Sequence, residues 1–482
     1  MFLFGNPTFK HGIHPGEFKE LTREAAIERL PFSDRLVLPL SQHLGAPSKA
    51  IVKVGDRVRR GQLIAEASGF VSVPLHASVT GRVTFVGLRH HPSGQLVDSI
   101  EIETDRTSPQ TLSGEETLDW ESMSPKEIVD AVQRGGFVGL GGAAFPTHVK
   151  LSPPEGKKAR FFMVNAAECE PYLNSDFRIL LERTEHIIHG IRILMKALGA
   201  EKVYIGTEDN KVDAAEHLRR ALPPDLPIEV LVLQTKYPQG AEKMLIDAVL
   251  HREVPSGKLP IDQEVVVQNV GTVACVSEWF KWGQPLIERV VTVTGPGIRE
   301  PKNLMIPLGT PLSDVIDFCG GMTDDTRQVL FGGPMMGTAQ RFLDVPVMKG
   351  TSGILFLTDS EVVPREEYPC IKCLRCVDAC PVYLNPSRLG SLAKARLYED
   401  MMSYHIMDCM ECGSCSFVCP SNIPLVQRFR VAKGLLREKQ IRDRKTADEK
   451  AAREKIVAER KARDEAIAAR AARVAPEPVS AS

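Results

Sequence analysis

The sequence of 482 residues has no run of 18 apolar residues, the length that a membrane-spanning helix requires. Its most apolar helical stretch, HIIHGIRILMKALG, contains Arg192 and Lys196, so we predict a buried helix there. The apolar residues at the N-terminus are too few for a signal peptide, and Pro7 interrupts them. The sequence therefore predicts neither a transmembrane segment nor a secretion signal.

Net charge is also nearly absent, because 60 basic residues balance 61 acidic residues and leave −1. A chain of this balance has no basic field with which to attract nucleic acid or anionic lipid. We therefore exclude nucleic acid as a partner. The length suggests roughly three or four domains with ample core.

Cysteine, by contrast, is concentrated: eight of the eleven cysteines lie between residues 370 and 419. Disulfide frameworks are typical of small secreted domains, and this is a large chain without a predicted signal peptide. The crowding therefore indicates metal binding in a reducing compartment. Cys275 and Cys319 lie in apolar surroundings and are predicted to be small buried hydrophobes.

The eight crowded cysteines form one motif twice, because a C-x2-C-x2-C-x3-C-P run begins at Cys370 and again at Cys409. Two-cluster ferredoxins carry this run, and in them the fourth cysteine of each motif ligates the other [4Fe–4S] cluster. A tight turn presents three thiolates to one face of a cube, so the fourth ligand must arrive from elsewhere. The predicted first cysteine set is Cys370, Cys373, Cys376 and Cys419, and the second cysteine set is Cys409, Cys412, Cys415 and Cys380.

Two structural zinc sites are the alternative for these cysteines. Zinc needs only four ligands per site from C-x2-C pairs, and it requires neither the third cysteine nor the trailing C-P. The doubled motif therefore favours iron–sulfur clusters. The 28 residues between Cys380 and Cys409 have a helical pattern and are predicted to fill the space between the motifs.

The whole pattern predicts a multidomain fold with α/β and β parts. Strand-like RFFMVNA, KVYIGT and IEVLVL alternate with helix-like stretches, which indicates an α/β layer. The predicted units are an N-terminal segment 1–35, a barrel-sandwich domain 36–105, a linker 106–123, an α/β domain 124–285, a β-grasp (SLBB-like) unit 286–345, a connector 346–368, a helical two-cluster ferredoxin domain 369–430 and a charged tail 431–482. The Ala/Arg/Lys/Glu-rich tail has no sustained apolar stripe, so we predict a solvated helix that ends in disorder. A partner-binding role is the alternative for the tail.

The barrel-sandwich stretch resembles biotinyl and lipoyl carrier domains, through V-K-V-G-D-x-V-x-x-G-Q and a later S-V-T-G-x-V. Carrier domains display a modifiable lysine at the tip of a hairpin. The corresponding tip here, EASGFVSVPLHASV, has no lysine. We therefore predict an unmodified docking module.

A glycine-rich loop, GLGGAAFPTHVK at 139–150, has the G-x-G-x-x-A spacing of a dinucleotide fingerprint. That fingerprint needs a strand before it and a long helix after it, whereas here a predicted helix precedes the loop and Pro146 follows. Together with VNAAECEPYLNSD, KYPQGAEKMLI and VVVQNVGTVACV, the loop instead resembles the NADH-oxidising flavoprotein subunit of respiratory complex I. Leu140, Ala167, Cys169 and Ala241 depart from that family's pattern.

This resemblance implies a site for FMN and NADH. The residues that it assigns to the site are Gly139, Gly141, Gly142, Phe145, Lys150, Asn165, Glu168, Tyr237, Gly240, Glu242 and Asn269. Glycines let backbone N–H groups approach a phosphate, which Lys150 would neutralise. Phe145 would stack on the nucleotide and Asn165 would bond the flavin edge, while Glu168 and Glu242 would hold ribose hydroxyls. No acid–base residue is expected, because hydride transfer by FMN needs alignment more than proton movement.

The order of units across the chain resembles the RnfC family of the Rnf complex, whose N-terminal pattern matches FKHGIHPGEFK. Membership would make the chain a peripheral protein at the cytoplasmic face of the bacterial inner membrane. It would pass electrons between NADH, non-covalent FMN, two [4Fe–4S] clusters and partner subunits, among them integral membrane subunits and an iron–sulfur subunit. The alternatives are a cobalamin-reductase-like subunit of propanediol microcompartments and a flavin-free ferredoxin-like relay.

Overall fold

A computed structural model describes residues 5–113, 117–363 and 365–474, with side chains described to residue 470. Parts of the predicted N-terminal segment, linker, connector and tail therefore lie outside the described residues: 1–4, 114–116, 364 and 475–482. The chain begins with a short helix, α1 (Glu20–Arg23), and a short strand, β1 (Ile27–Arg29). Among the described residues, no helix is long and apolar enough to cross a membrane.

The barrel-sandwich region consists of seven strands in two sheets. They are β2 (Arg35–Pro39), β3 (Lys49–Ala50), β4 (Arg57–Val58), β5 (Leu63–Glu66), β6 (Leu75–His76), β7 (Gly81–His90) and β8 (Leu96–Thr104). One sheet has the order β2-β8-β7-β4 and the other β3-β5-β6. Valine, leucine and isoleucine side chains fill the space between them. At the tip that lacks lysine, the Phe70 carbonyl lies 2.8 Å from His148 Nε2 of the glycine-rich loop. The tip thus contacts the α/β domain.

The α/β domain has a four-stranded parallel sheet, β9 (Phe161–Ala166), β10 (Lys202–Glu208), β11 (Ile228–Leu233) and β12 (Val265–Asn269). Its helices are α2 (Pro125–Arg134), α3 (Thr147–Lys150), α4 (Ser175–Glu182), α5 (Thr184–Leu198), α6 (Val212–Ala221), α7 (Glu242–Leu250) and α8 (Val270–Trp282), with 3₁₀ turns at Asp209–Lys211 and Pro260–Gln263. A capping box between Ser124 and Glu127 begins α2. Gly190 lets α5 approach α8, because a Cβ there would lie 2.1 Å from the Val273 carbonyl oxygen. The three strands named from the sequence are all present in this sheet.

The sheet order is β11-β10-β9-β12. The chain runs from β9 outward through β10 to β11 and then crosses back to place β12 on the other side of β9. The order therefore reverses between β9 and β12. In parallel sheets a ligand crevice opens at such a reversal, outside the carboxyl ends of the strands.

The β-grasp region is a mixed six-stranded sheet of order β1-β14-β13-β17-β15-β16. Its elements after α8 are β13 (Glu288–Thr294), β14 (Lys302–Pro307), α9 (Leu312–Phe318), β15 (Thr326–Phe331), β16 (Thr338–Ala339) and β17 (Gly353–Thr358). The sheet thus takes β1 from the predicted N-terminal segment and β17 from the predicted connector.

The cysteine-rich region is helical, as the sequence predicts. It contains α10 (Arg375–Asp378), α11 (Pro386–Lys394), α12 (Ser414–Phe417) and 3₁₀ turns at Asp400–Tyr404 and Ile406–Asp408. A 50-residue helix, α13 (Leu425–Val474), follows. Leu425, Phe429 and Leu436 anchor its first turns in the core of this region. From residue 442 to residue 470 every side chain is exposed.

Candidate functional site

The predicted site residues gather at the carboxyl ends of β9 and β12. Asn165 lies one residue before the end of β9, and Asn269 is the last residue of β12. The two strands are neighbours, with Asn165 directly opposite Asn269. The segments that the sequence analysis selected therefore meet where the sheet order reverses.

The glycine-rich loop holds its shape with few of its own amides. Gly139 N donates to the Phe145 carbonyl at 2.8 Å, and Leu140 N donates to Thr272 Oγ1 at 2.9 Å. Within the described part of the chain, the amides of Gly141 and Gly142 donate no hydrogen bond, and both residues are exposed. Gly142 has a φ of 132°, which favours glycine. Unpaired backbone N–H groups in an exposed turn of this kind can bind an anion such as a phosphate.

Asn269 packs against the glycine-rich loop at Gly141. Its side-chain oxygen caps α8 by accepting from Gly271 N at 2.9 Å. Its amide nitrogen donates to Asp176 Oδ2 at 2.7 Å. A Cβ on Gly141 would lie 3.3 Å from that nitrogen, so the glycine lets the loop rest directly on Asn269. The sequence assigned Asn269 to the cofactor, which stays a prediction, and the structure places its side chain against Gly141 of the loop.

Lys150 and Glu242, predicted for phosphate and ribose, form an ion pair. Lys150 Nζ lies 2.6 Å from Glu242 Oε1 and 3.1 Å from the Val267 carbonyl oxygen. Each side chain keeps about a third of its surface exposed, at 28% and 34%. An anion bound at the loop would compete with Glu242 for the Lys150 ammonium. Phe145 is half-buried.

Asn165 joins two of the predicted loops. Its Nδ2 donates to the Gly240 carbonyl at 2.8 Å, and its Oδ1 accepts from Ala167 N at 3.1 Å. Gly240 must be a glycine, because a Cβ there would lie 2.2 Å from the Ala167 carbonyl oxygen. Gly240 N also donates to Cys169 Sγ at 3.3 Å, and burial raises the pKa of this thiol. Cys169 is thus a protonated packing residue between these loops.

Glu168, for which the resemblance implied a ribose contact, bonds to other residues of the chain in the structure. It is buried, and its carboxylate accepts from Ser175 Oγ and Asp176 N, both at 3.0 Å, and from Phe177 N at 3.3 Å. The carboxylate therefore caps the N-terminus of α4, where the helix dipole favours negative charge. We assign Glu168 to helix capping, and its contact with ribose stays a prediction.

Two residues that the sequence analysis did not select also shape the site. Asp176 holds Asn269, and burial raises the pKa of its carboxyl to about 7. Arg289 of β13 donates to the Leu140 carbonyl at 3.1 Å, and its burial lowers its pKa to about 10. Asp176 ends the VNAAECEPYLNSD segment and could have been included. Arg289 gives no sequence signal, because it comes from the β-grasp sheet.

Tyr237 connects the α/β domain to the cysteine-rich region. Its buried hydroxyl donates to the Cys412 carbonyl at 2.7 Å. Its backbone pairs with Ile13 through two hydrogen bonds of 2.9 Å. The resemblance placed Tyr237 at the cofactor, whereas the structure places its hydroxyl on the second cysteine motif.

The eight cysteines line two separate cavities. Around one cavity lie Cys370, Cys373, Cys376 and Cys419. Around the other lie Cys380, Cys409, Cys412 and Cys415. These are the two sets into which the doubled motif divides the cysteines. Among the described residues, no three His, Cys, Asp or Glu side chains converge as a single metal ion would require. Thiolates spread around a cavity suit a cube, in which each cysteine binds a different iron atom.

Comparison with known proteins shows which class of protein the chain belongs to. Family models match along the chain: the RnfC barrel sandwich hybrid domain at 7–107, the Nuo51 FMN-binding domain at 132–278, the SLBB domain at 290–339 and the 4Fe-4S dicluster domain at 369–423. These matches confirm the predicted fold class. The chain is a flavin and iron–sulfur electron-transfer protein, and its cofactors are FMN and two [4Fe–4S] clusters.

Curated relatives then define the family, and each of them is one component of a larger complex. The relative from the proton-translocating ferredoxin:NAD(+) oxidoreductase complex of Clostridium ljungdahlii is 45% identical over 83% of this chain and 88% of the relative. The relative from the Na(+)-translocating complex of Acetobacterium woodii is 46% identical, over 88% and 96% respectively. The relative from the ion-translocating oxidoreductase complex of Rhodobacter capsulatus is 42% identical, over 90% and 84%. The chain belongs to the RnfC family of the Rnf complex.

A solved structure is a more distant match. The NAD+-reducing [NiFe]-hydrogenase in the air-oxidized state is 21% identical with a TM-score of 0.44. The match covers 61% of this chain and 60% of the hydrogenase chain.

Proposed function

We propose that this chain is the NADH-facing subunit of a membrane-bound, ion-translocating electron-transport complex. Bound FMN exchanges a hydride with NAD(H) and single electrons with a cluster. The chain passes those electrons through its two clusters to or from partner subunits that pump ions. The relatives support this proposal, since two of them belong to ferredoxin:NAD(+) oxidoreductase complexes that translocate protons or Na(+).

One observation carries the proposal most directly. The candidate flavin site and the cysteine-rich region belong to one connected structure. The Tyr237 hydroxyl donates to the Cys412 carbonyl of the cysteine-rich region. Gly240, three residues further along the chain, accepts a hydrogen bond from Asn165 of the candidate flavin site. Electron transfer between cofactors needs such proximity and a fixed geometry. The contact between Tyr237 and Cys412 supports this arrangement.

The residues at the sheet reversal have distinct proposed roles. The free amides of Gly141 and Gly142, with Gly139 shaping the turn, cradle the FMN phosphate. Lys150 neutralises that phosphate when it leaves Glu242, and Glu242 is then free for a ribose hydroxyl. Asn165 lies at the flavin edge, and Phe145 stacks on the nicotinamide nucleotide.

The two cysteine sets are the proposed ligands, with Cys419 completing the first set and Cys380 completing the second. The division of the cysteines between two cavities supports this crossed arrangement. The proposed domain boundaries follow the sequence prediction, except that the β-grasp sheet extends to β17 and includes β1.

The proposed location is the cytoplasmic face of the bacterial inner membrane, where the chain would be a peripheral component. The proposed partners are integral membrane subunits and an iron–sulfur subunit of the same complex. Each of the three relatives is one component of such a complex, which supports membership of a multisubunit assembly. The relatives also favour this function over a cobalamin reductase, and the FMN-binding domain favours it over a flavin-free relay.

The test is a matched pair of glycine variants in the purified chain. Gly141→Asp adds bulk against Asn269 and negative charge at the anion cradle, so we expect loss of bound FMN and of NADH-to-dye activity, with both clusters retained. Gly69→Asp is the control, because a side chain at this exposed glycine meets nothing within 4 Å. Stoichiometric FMN and normal turnover in Gly141→Asp would place the flavin elsewhere.

Two milder variants separate the flavin from the nucleotide. Lys150→Ala should weaken FMN binding by about 1.5–3 kcal/mol, the scale of a charge-assisted hydrogen bond. Phe145→Ala should raise mainly the KM for NADH and retain the flavin, because its ring stacks on the nucleotide in this proposal. Flavin titration and steady-state kinetics measure the two effects.

A further inference from the structure

The surroundings of the first cysteine set are open to solvent. Residues 371–375, which lie between the first and third of its cysteines, are all exposed. Ile371 and Leu374 expose 68% and 52% of their surfaces and line the same cavity as the cysteines. Apolar side chains with this exposure, next to a redox centre, are typical of a surface that a partner covers.

The charge around this set is mostly basic. Between residues 368 and 397 the sequence has five Lys or Arg and a single Asp or Glu. All five basic residues are exposed: Lys372, Arg375, Arg388, Lys394 and Arg396. Among the described residues, Lys372 and Arg375 have no ion-pair partner. Glu367, which also lines the cavity, is paired with Arg428 at 2.6 Å and with Lys394 at 3.8 Å. The charges of Lys372 and Arg375 are therefore available to an external partner.

The second cysteine set is closed off by the rest of the chain. Cys412 packs with Ile13, Tyr237 and Cys169, and with Met335 of the β-grasp region. Gly413 has no room for a side chain, because a Cβ there would lie 2.9 Å from the Met335 carbonyl oxygen. An external protein therefore has no direct approach to this side of the second set. Of the two sets, the first is therefore the more accessible to an external protein.

We propose that the first cysteine set holds the terminal cluster of the chain and that residues 371–375, with Arg388, Lys394 and Arg396, form a docking surface for an acidic one-electron carrier protein. This inference rests on the proposed function. In the exchange one electron passes from the reduced cluster to the oxidised carrier, or in reverse, and no bond or proton is transferred. Basic side chains steer an acidic partner and set its orientation, while Ile371 and Leu374 supply the apolar centre of the contact.

An anionic membrane would also attract basic and apolar side chains. The structure favours a carrier protein, because the surface surrounds a redox centre and electron transfer requires the partner's redox centre to come close to it. A lipid contact would instead cover the first cysteine set. Binding is therefore measured with lipid vesicles as well as with a carrier protein, which distinguishes the two partners.

The test measures binding, with oxidised proteins and without NADH, so its result does not depend on hydride chemistry. The probe is a purified acidic two-[4Fe–4S] ferredoxin, titrated into the cluster-loaded full chain by calorimetry at low and high salt. The variant is Lys372→Glu with Arg375→Glu. The matched control is Lys126→Glu with Lys158→Glu, which makes the same charge change at exposed positions of the α/β domain. Glutamate should be tolerated at residue 372, because Glu411 occupies the equivalent position with φ 60°, close to the 56° of Lys372.

We expect the ferredoxin to bind the unaltered chain with an affinity that falls as salt rises. The Lys372→Glu and Arg375→Glu pair should weaken binding about tenfold or more, and the control pair should change it little. Iron content verifies that the variants are intact, and Lys372→Gln with Arg375→Gln replaces the charge reversal if iron is lost. The proposal is overturned if the ferredoxin does not bind at low salt, or if both pairs weaken binding equally. It is also overturned if phosphatidylglycerol vesicles bind at this surface and the ferredoxin does not.

Discussion

The two cysteine motifs have the same backbone. Three positions in each motif adopt positive φ, and they match between the motifs: Lys372, Leu374 and Tyr383 at 56°, 63° and 55°, against Glu411, Gly413 and Asn422 at 60°, 81° and 51°. A short helix follows the second of these positions, α10 in the first motif and α12 in the second. The same cysteine spacing thus gives the same backbone conformation in both motifs.

Their surroundings are opposite. Residues 371–375 are exposed, whereas residues 410–414 are half-buried or buried. Lys372 has no ion-pair partner among the described residues, while the equivalent Glu411 pairs with Lys433 at 2.6 Å. Charge differs too, because residues 398–427 have four Asp or Glu and no Lys or Arg. The motif therefore specifies a cluster, and the neighbouring domains specify whether that cluster is internal or terminal.

The largest expected effect is the loss of a whole cluster. Cys419→Ala should remove the cluster of the first set and lower the iron content from about eight to about four per chain, with the second set intact. Cys380→Ala should do the reverse. Iron and acid-labile sulfide analysis with electron paramagnetic resonance (EPR) of each variant checks this. Loss of the second-set signal in Cys419→Ala would refute the crossed ligand sets.

Substitutions at one pair of equivalent positions, Gly413 in the second motif and Leu374 in the first, should produce the next largest effect. Gly413→Leu places a side chain at φ 81° and against the Met335 carbonyl, so we expect the free energy of unfolding to fall by about 3 kcal/mol or more. Leu374→Gly relieves a positive φ of 63° at an exposed position and should change stability little. Denaturant unfolding of the loaded proteins measures both. Equal losses in the two variants would show that the first motif is as enclosed as the second.

Removing a tyrosine hydroxyl should have a smaller effect on the free energy of unfolding. Tyr237→Phe leaves the buried Cys412 carbonyl without its donor, and we expect a loss of about 1–3 kcal/mol in the free energy of unfolding. Tyr383→Phe is the control, because Tyr383 is 51% exposed and no hydrogen bond of its hydroxyl occurs among the described residues. Denaturant unfolding compares the two variants. A Tyr237→Phe protein as stable as the control would mean that this connection contributes nothing.

The smallest expected difference concerns charge at equivalent positions. Glu411→Gln removes the carboxylate partner of Lys433, whose side chain is only 4% exposed, and should cost about 1–2 kcal/mol. Lys372→Gln, at an exposed and unpaired position among the described residues, should stay within about 0.5 kcal/mol of the unaltered protein. Thermal unfolding at two salt concentrations measures both variants. A larger loss in Lys372→Gln would indicate that the first motif has a partner within the chain.

Local chemistry was the predictable part of this molecule. Alternating strands and helices predicted the α/β layer, which is confirmed, while the anion cradle at Gly141 and Gly142 stays a prediction. Roles that depend on distant segments were not predictable. Tyr237 faces a motif 175 residues away, and Arg289 reaches Leu140 from another sheet. Glu168 matched a family pattern, yet only the structure shows that its oxygens cap α4.

Strands β1 and β17 were missed for the same physical reason. β1 has three residues and pairs with β14, so its stability comes from a partner far along the chain and not from its own sequence. β17 lies in what resembled a connector, and it is completely buried between β13 and β15. A pattern of alternating residues cannot reveal such pairings.

The order of the two clusters is the central claim, and reoxidation by NAD+ tests it most directly. Photoreduced chain is mixed with excess NAD+, and the EPR signal of the remaining reduced cluster is followed in Cys419→Ala and in Cys380→Ala. We predict that Cys419→Ala, which keeps the second set beside Tyr237, reoxidises at a rate close to that of the unaltered chain. Cys380→Ala should keep a first-set cluster that is reducible but reoxidises far more slowly. Fast reoxidation in Cys380→Ala with slow reoxidation in Cys419→Ala would contradict the account.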